Sequence, residues 1–172
     1  GNVHALDPST GRERWAYRGG RRFYGGPAVS GDTIVIGDVG GAVIALDARD
    51  GSERWRHGTG GAFVYSTAAI ARGTAFIGSY DGVFQALDLR TGAVRWSYDM
   101  GERISGSATV VGDVVYTATL FRRGGPRRTV GLDTQTGAVR FERAEGRYSP
   151  AVGAGRTLYL VGTRTLDAYR SP

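Results

Sequence analysis

The sequence predicts an all-β fold: a β-propeller of four-stranded antiparallel blades, about four blade equivalents in one domain, residues 1–172. Three observations predict it. One phrase is written four times: Ala5-Leu6-Asp7 with Gly11 and Trp15, Ala45-Leu46-Asp47 with Gly51 and Trp55, Ala86-Leu87-Asp88 with Gly92 and Trp96, and Gly131-Leu132-Asp133 with Gly137 and Phe141. The four aspartates lie 40, 41 and 45 positions apart, a period at which one supersecondary unit is stacked on copies of itself, each burying its apolar face on the next. Finally, 29 glycines and only 5 prolines punctuate short β-branched runs, and no stretch carries a sustained helical period with caps.

Each repeat divides into four runs. In the second copy they are Pro27-Ala28-Val29, then residues 33–37, then 42–47, then 53–56, separated by Gly31-Asp32, by Asp38 to Gly41 and by Asp50-Gly51. Runs of this length closed by such turns read as antiparallel strands, and four of them in about 40 residues make a propeller blade. Gly11, Gly51, Gly92 and Gly137 close the hairpin between third and fourth strands, where a positive φ is cheap only for glycine. Asp7, Asp47, Asp88 and Asp133 can accept hydrogen bonds from the turn amides. Ala5, Ala45, Ala86 and Gly131 are small, which lets a neighbouring blade approach. Trp15, Trp55 and Trp96, with Phe141 in the fourth copy, fill the space between blades.

Composition excludes several classes. The 172 residues, 41% hydrophobic, are enough for a sizeable core. No apolar run reaches the roughly 18 residues of a membrane span. No charged-then-apolar leader opens the chain, which predicts that it carries no signal peptide. Cysteine is absent, so disulfides, thiolate nucleophiles and thiolate metal sites are excluded. The net charge is +6 and all 22 basic residues are arginine, a uniform choice that reads as genome composition. An arginine-rich face still attracts anionic partners. Nucleic acid is not the expected partner, because neither a recognition helix nor an aromatic platform of the known kinds is present.

The repeated phrase resembles the tryptophan-docking motif, Ala-x-Asp-x-x-x-Gly-x-x-x-Trp, of the quinoprotein-like (PQQ-like) β-propellers. Three copies match it in full, and the fourth has Gly131 and Phe141 at its ends. The resemblance covers essentially the whole chain and is specific for the blade type. It leaves function open, since fold does not settle function. That family includes dehydrogenases that use pyrroloquinoline quinone. It also includes non-enzymatic scaffolds, such as the lipoprotein of the outer-membrane barrel-assembly machine and propellers attached to bacterial serine/threonine kinases. Family enzymes hold the quinone with calcium, a Glu/Asn/Asp ligand set and, in many members, adjacent disulfide-bonded cysteines. None of this carries over: cysteine is absent, the only asparagine is Asn2, and the aspartates recur once per blade. The expectation is no cofactor, no metal ligand and no catalytic residue.

Other chemistry is sparse. His4 stands where the other copies have Ile44, Gln85 and Val130, and His57 follows Trp55 near a strand end. No Gly-x-Ser-x-Gly elbow appears, and Gly19-Gly20 and Gly60-Gly61 lack the helix a phosphate loop requires. Asp38, Tyr80 and Asp81 are the loop residues of most interest. Topology is more informative. In a four-stranded meander the loop from second to third strand and the loop between blades emerge on one face, and the repeated Asp…Gly turn on the other. The repeated face is expected to be structural, and the varied face to bind. The varied loops carry Arg22, Phe23 and Tyr24, then Phe63 and Tyr65, then Arg103, then the insertion with Arg122, Arg123, Arg127 and Arg128, then Arg147 and Tyr148. Arginine and aromatics are the types enriched at interaction hot spots, so these twelve are the candidate binding residues.

The chain enters at a third strand and ends after a first, second and third, giving two strands, three full blades and three strands. The end pieces could share one blade of a four-bladed ring. The alternatives are a piece of a seven- or eight-bladed ring, and half of an eight-bladed ring completed by a second copy. The expected function is a non-enzymatic scaffold or sensor domain that binds a protein or other macromolecule through the loop face, in the bacterial envelope. The rivals are a fragment of a quinone-dependent dehydrogenase and a small-ligand sensor.

Overall fold

The computed structural model describes residues 1–120, 128–144, 151–161 and 165–170. The described residues form seventeen strands and no helix. β1 (Asn2–Leu6) and β2 (Glu13–Arg18) form a two-stranded sheet. Three four-stranded blades follow: β3 (Ala28–Ser30), β4 (Thr33–Gly37), β5 (Ala42–Asp47) and β6 (Glu53–Gly58); β7 (Ala69–Ala71), β8 (Thr74–Gly78), β9 (Val83–Asp88) and β10 (Val94–Asp99); β11 (Thr109–Val111), β12 (Val114–Ala118), β13 (Thr129–Asp133) and β14 (Val139–Arg143). β15 (Val152–Ala154), β16 (Thr157–Val161) and β17 (Leu166–Arg170) make a three-stranded sheet. Within each sheet, strands adjacent in sequence pair antiparallel. The two middle strands of the second repeat fall where the sequence places them, while β3 lies one residue later and β6 runs on to Gly58. Among the described residues the two-stranded and three-stranded end sheets are separate, so of the three arrangements left open the shared blade is not the one found.

The core lies between blades. A strand sends alternate side chains to opposite sheet faces, and here both faces meet a neighbouring blade. Val35, Val43 and Ala45 of one blade therefore pack with Ala75, Ile77 and Leu87 of the next. Phe76, Phe84 and Ala86 pack with Val115, Val130 and Leu132 in the following gap. The second strands β4, β8 and β12 are buried at every position, as strands covered on both faces are.

The docking tryptophans bridge the same gaps. Each indole Nε1 donates to a carbonyl in the motif turn of the next blade: Trp15 to Ala48 at 3.1 Å, Trp55 to Leu89 at 2.9 Å, Trp96 to Thr134 at 3.2 Å. Trp55 is 8% exposed, while Trp15 and Trp96 are half-buried. Each ring also lies over the next blade's motif glycine. A Cβ on Gly92, at φ +74°, would stand 2.6 Å from the Trp55 ring. The glycine is thus required twice, by its backbone and by the indole above it. The small residue opening each motif has a different reason from the one expected. Ala5, Ala45, Ala86 and Gly131 sit directly across the ladder from Trp15, Trp55, Trp96 and Phe141, so they make room for the docked ring within their own blade. At Gly131 a Cβ would also meet the Tyr116 ring at 2.6 Å.

Candidate binding face

The two faces differ in how their polar groups are used. On the motif face the aspartate caps its own turn. Asp88 Oδ1 accepts the amides of Arg90 and Thr91, and Asp133 Oδ1 those of Gln135 and Thr136, at 2.9–3.0 Å. The register slips by one residue between the small residue and the leucine of every copy. This β-bulge makes Arg14, Arg54, Arg95 and Arg140 the extra residues, and bulges re-aim side chains. Arg54, Arg95 and Arg140 reach back to Asp47, Asp88 and Asp133 at 2.7, 2.7 and 3.4 Å. Arg54 and Arg95 also donate to Thr33 and Thr74 Oγ1, both at 2.6 Å. The acidities follow. The Arg95 guanidinium, with the hydroxyl and amide of Thr91, holds the Asp88 carboxyl well below the usual carboxylate range. Arg49 and then Arg54 do the same for Asp47. Hydrogen bonds led by the Ser9 hydroxyl lower Asp7 to about 2.

The opposite face is stitched by backbone. The strand leading into each blade bonds forward to its own blade's second-to-third-strand loop: the Val39 amide donates to the Arg22 carbonyl, Tyr80 to Phe63, and Leu120 to Arg103. It also bonds backward to the preceding blade: Val64 donates to Asp38 and Ile104 to Ser79, both at 3.1 Å. Both loop classes therefore share one face, as the meander predicts. Val64 and Ile104 are fully buried plugs. A Cβ on Gly37 would lie 2.2 Å from Val64 Cγ1, and one on Gly78 only 2.4 Å from Ile104 Cγ2.

Above the plugs the aromatic side chains gather. The Tyr24 and Tyr65 ring centroids are 5.3 Å apart at 68°, Tyr65 and Tyr80 4.7 Å apart at 72°, and Phe63 lies 5.7 Å from Tyr65 and 6.1 Å from Tyr80. The Arg103 guanidinium stands 5.5 Å over the Tyr80 ring. Tyr24 is 63% exposed and Phe63 45%. Tilted and edge-on contacts at these separations are favourable for ring quadrupoles. The structure thus brings together Tyr24, Phe63, Tyr65 and Arg103, and adds Tyr80 to them. Arg22 is exposed, its carbonyl accepting the Val39 amide.

Two candidates are placed differently. Phe23 occupies the repeat position of Val64 and Ile104 and is half-buried against the cluster of Ile34, Ile36, Ile44 and Leu46. Arg128 is bracketed internally: its Nε donates to Glu142 at 2.8 Å and its guanidinium to the Tyr98 hydroxyl at 3.1 Å. Arg122, Arg123, Arg127, Arg147 and Tyr148 lie outside the described residues. Asp38 and Asp81 are loop formers. Asp38 Oδ1 accepts the Gly40 and Ala42 amides, and Asp81 Oδ1 accepts the Ser79 hydroxyl and the Val83 amide. His57 Nε2 meets Gln85 Oε1 of the next blade at 3.2 Å, and His4 Nδ1 meets Glu13 at 2.7 Å.

Residues 1–165 match the family model described as outer membrane protein assembly factor BamB. The chain belongs to that family, a branch of the PQQ-like repeat propellers. Over 66 residues, a third of this chain and 16% of the relative, it is 44% identical to the outer membrane protein assembly factor BamB of Xanthomonas campestris pv. campestris. The crystal structure of BamB from Moraxella catarrhalis superposes with a TM-score of 0.79 at 23% identity, covering 99% of this chain and 52% of that one. The quinohemoprotein alcohol dehydrogenase ADHIIG of Pseudomonas putida HK5 superposes at 0.65 and 24% identity, over 71% of this chain and 20% of the enzyme. The chain therefore spans about half the length of the BamB structure it matches.

The fold is thus shared by BamB and by quinone enzymes. No three His, Cys, Asp or Glu side chains gather among the described residues, and the motif carboxylates already hold turn amides and arginines. Among the described residues no helix is long and apolar enough to cross a membrane.

Proposed function

We propose that this member of the BamB family is a non-enzymatic scaffold of the bacterial envelope that binds a protein partner through the Tyr24–Tyr65–Tyr80 face. One observation carries the reading: four exposed or half-exposed aromatic rings and an arginine, contributed by loops of successive blades, converge on the face whose sequence does not repeat. Non-repeating side chains on a repeated scaffold are where recognition resides, and tyrosine with arginine is hot-spot chemistry. The family name supplies the partner class, the outer-membrane assembly machinery. Nothing in the comparisons supports a ring completed by a second copy.

Binding of the purified protein to the outer-membrane assembly complex of its own bacterium tests this. The Tyr65→Ala/Tyr80→Ala double variant is expected to weaken binding by about a hundredfold, the scale of two hot-spot side chains, with an unchanged thermal midpoint. Arg90→Ala on the motif face is expected to bind as the parent does. Equal binding by both variants contradicts the proposal. So does saturable uptake of pyrroloquinoline quinone with calcium at one site per chain.

A further inference from the structure

Tyr80 lines two recesses on the loop face. One, of about 260 Å³, is lined by Gly61, Ala62, Phe63, Tyr80, Asp81 and Arg103. The other, of about 360 Å³, is lined by Tyr24, Tyr65, Tyr80 and Ser105. We propose that this pair of recesses reads an extended, proline-containing acidic peptide, with prolines seated against the tyrosine rings and a carboxylate paired with Arg103. The inference rests on the protein-binding reading above and specifies its ligand.

Three features select this chemistry. The first is what the backbone has left to offer. The amides of Val39, Val64, Tyr80, Ile104 and Leu120 along this face already donate to neighbouring loops. Strand addition needs a free row of such groups, so recognition here must run through side chains. The second is the lining. Proline-rich segments dock in aromatic-lined grooves, and these walls are rings set at 68° and 72° to one another with Ser105 in the lining. A polyproline II segment has no internal hydrogen bonds and leaves every carbonyl free to accept. Tyrosine and serine hydroxyls can donate to those carbonyls, while flat rings take the pyrrolidine faces. The preformed conformation also lowers the ordering cost of binding. The third is charge. Arg103 is exposed at the cluster, and the two acids beside it are turned back onto the protein: Asp81 onto Ser79 and Val83, and Glu102 onto the Arg103 amide at 3.0 Å. A ligand carboxylate beside the prolines would meet an arginine already fixed over Tyr80 at 5.5 Å.

The test titrates the purified protein with fluorescent synthetic peptides: one with spaced prolines and two glutamates, one with the prolines replaced by alanine, and one with the glutamates replaced by lysine. Both replacements are expected to weaken binding by about tenfold or more, the scale of one lost anchor. Tyr80→Ala is expected to erase the preference for proline over alanine. Arg103→Glu is expected to invert the preference between glutamate and lysine, which a merely unfolded variant would not do. Equal binding of the proline and alanine peptides overturns the inference, as does an unchanged charge preference in Arg103→Glu. If either happens while the assembly complex still binds through Tyr65 and Tyr80, the ligand assignment falls and the protein-binding reading stands.

Discussion

The motif face and the loop face are built by the same repeat and end up with opposite properties. On the motif face the three four-stranded blades engage their polar groups internally. In each, the aspartate caps its turn, the bulged arginine returns to the aspartate, and the preceding indole closes over the glycine. On the loop face the backbone is equally committed, but the side chains differ from blade to blade and point outward. The position that is Tyr24 and Tyr65 in two blades is Ser105 in the next, and Tyr80 answers to Val39 and Leu120. A repeat can therefore hold its stability on one face and free the other for recognition.

The most disruptive way to break that division is to remove a docked ring. Trp55→Ala deletes an indole that is 8% exposed and should cost about 3–5 kcal/mol in urea unfolding, as large-to-small core changes do. A smaller effect separates the two demands on the motif glycine. Gly11 and Gly92 have φ of +69° and +74°, but only Gly92 has an indole where a Cβ would go. Gly11→Ala should cost about 1–2 kcal/mol for the left-handed backbone alone. Gly92→Ala should add about 1–3 kcal/mol of overpacking. Equal losses would mean that the indole contact carries no weight.

Smaller still is a change that should stabilise. Arg72 has φ +49° where the corresponding turns use Gly31, Gly112 and Gly155, and it pairs with Asp113 of the next blade. Arg72→Gly relieves about 1 kcal/mol of backbone strain, offset in part by loss of the exposed pair, so a slightly raised thermal midpoint is expected. The smallest effect near neutrality is that of pH. Asp7, Asp47 and Asp88 are all depressed in the folded chain. Their contribution is fully present above the ordinary value of 3.8 and is lost as pH falls through the folded values. Urea midpoints should hold steady from pH 7 to about 5 and fall below about pH 4. In Asp88→Asn that acid slope should be shallower.

Blade architecture was legible because the glycine and aspartate turns mark every hairpin and the aromatic recurs at one place. The bulge was not, since an extra residue exists only relative to the partner strand's register. Arg54, Arg95 and Arg140 accordingly look like free surface charges in the sequence. Phe23 is hard to place from sequence for a related reason. Composition alone groups it with Tyr24, whereas aligning it with Val64 and Ile104 shows an apolar position in three successive blades. Tyr80 was visible as a loop residue, but its place beside Tyr65 depends on loops 15 residues apart meeting at a blade junction.

The central claim is that contact with a partner is made by the varied face and not by the repeated one. Site-specific photo-crosslinking in the native host tests it directly, with a photoreactive phenylalanine analogue placed at Tyr65 in one strain and at Arg90, exposed on the motif face, in another. The account predicts a discrete adduct with a partner protein from position 65 and none from position 90. An adduct from position 90 with none from position 65 would contradict it.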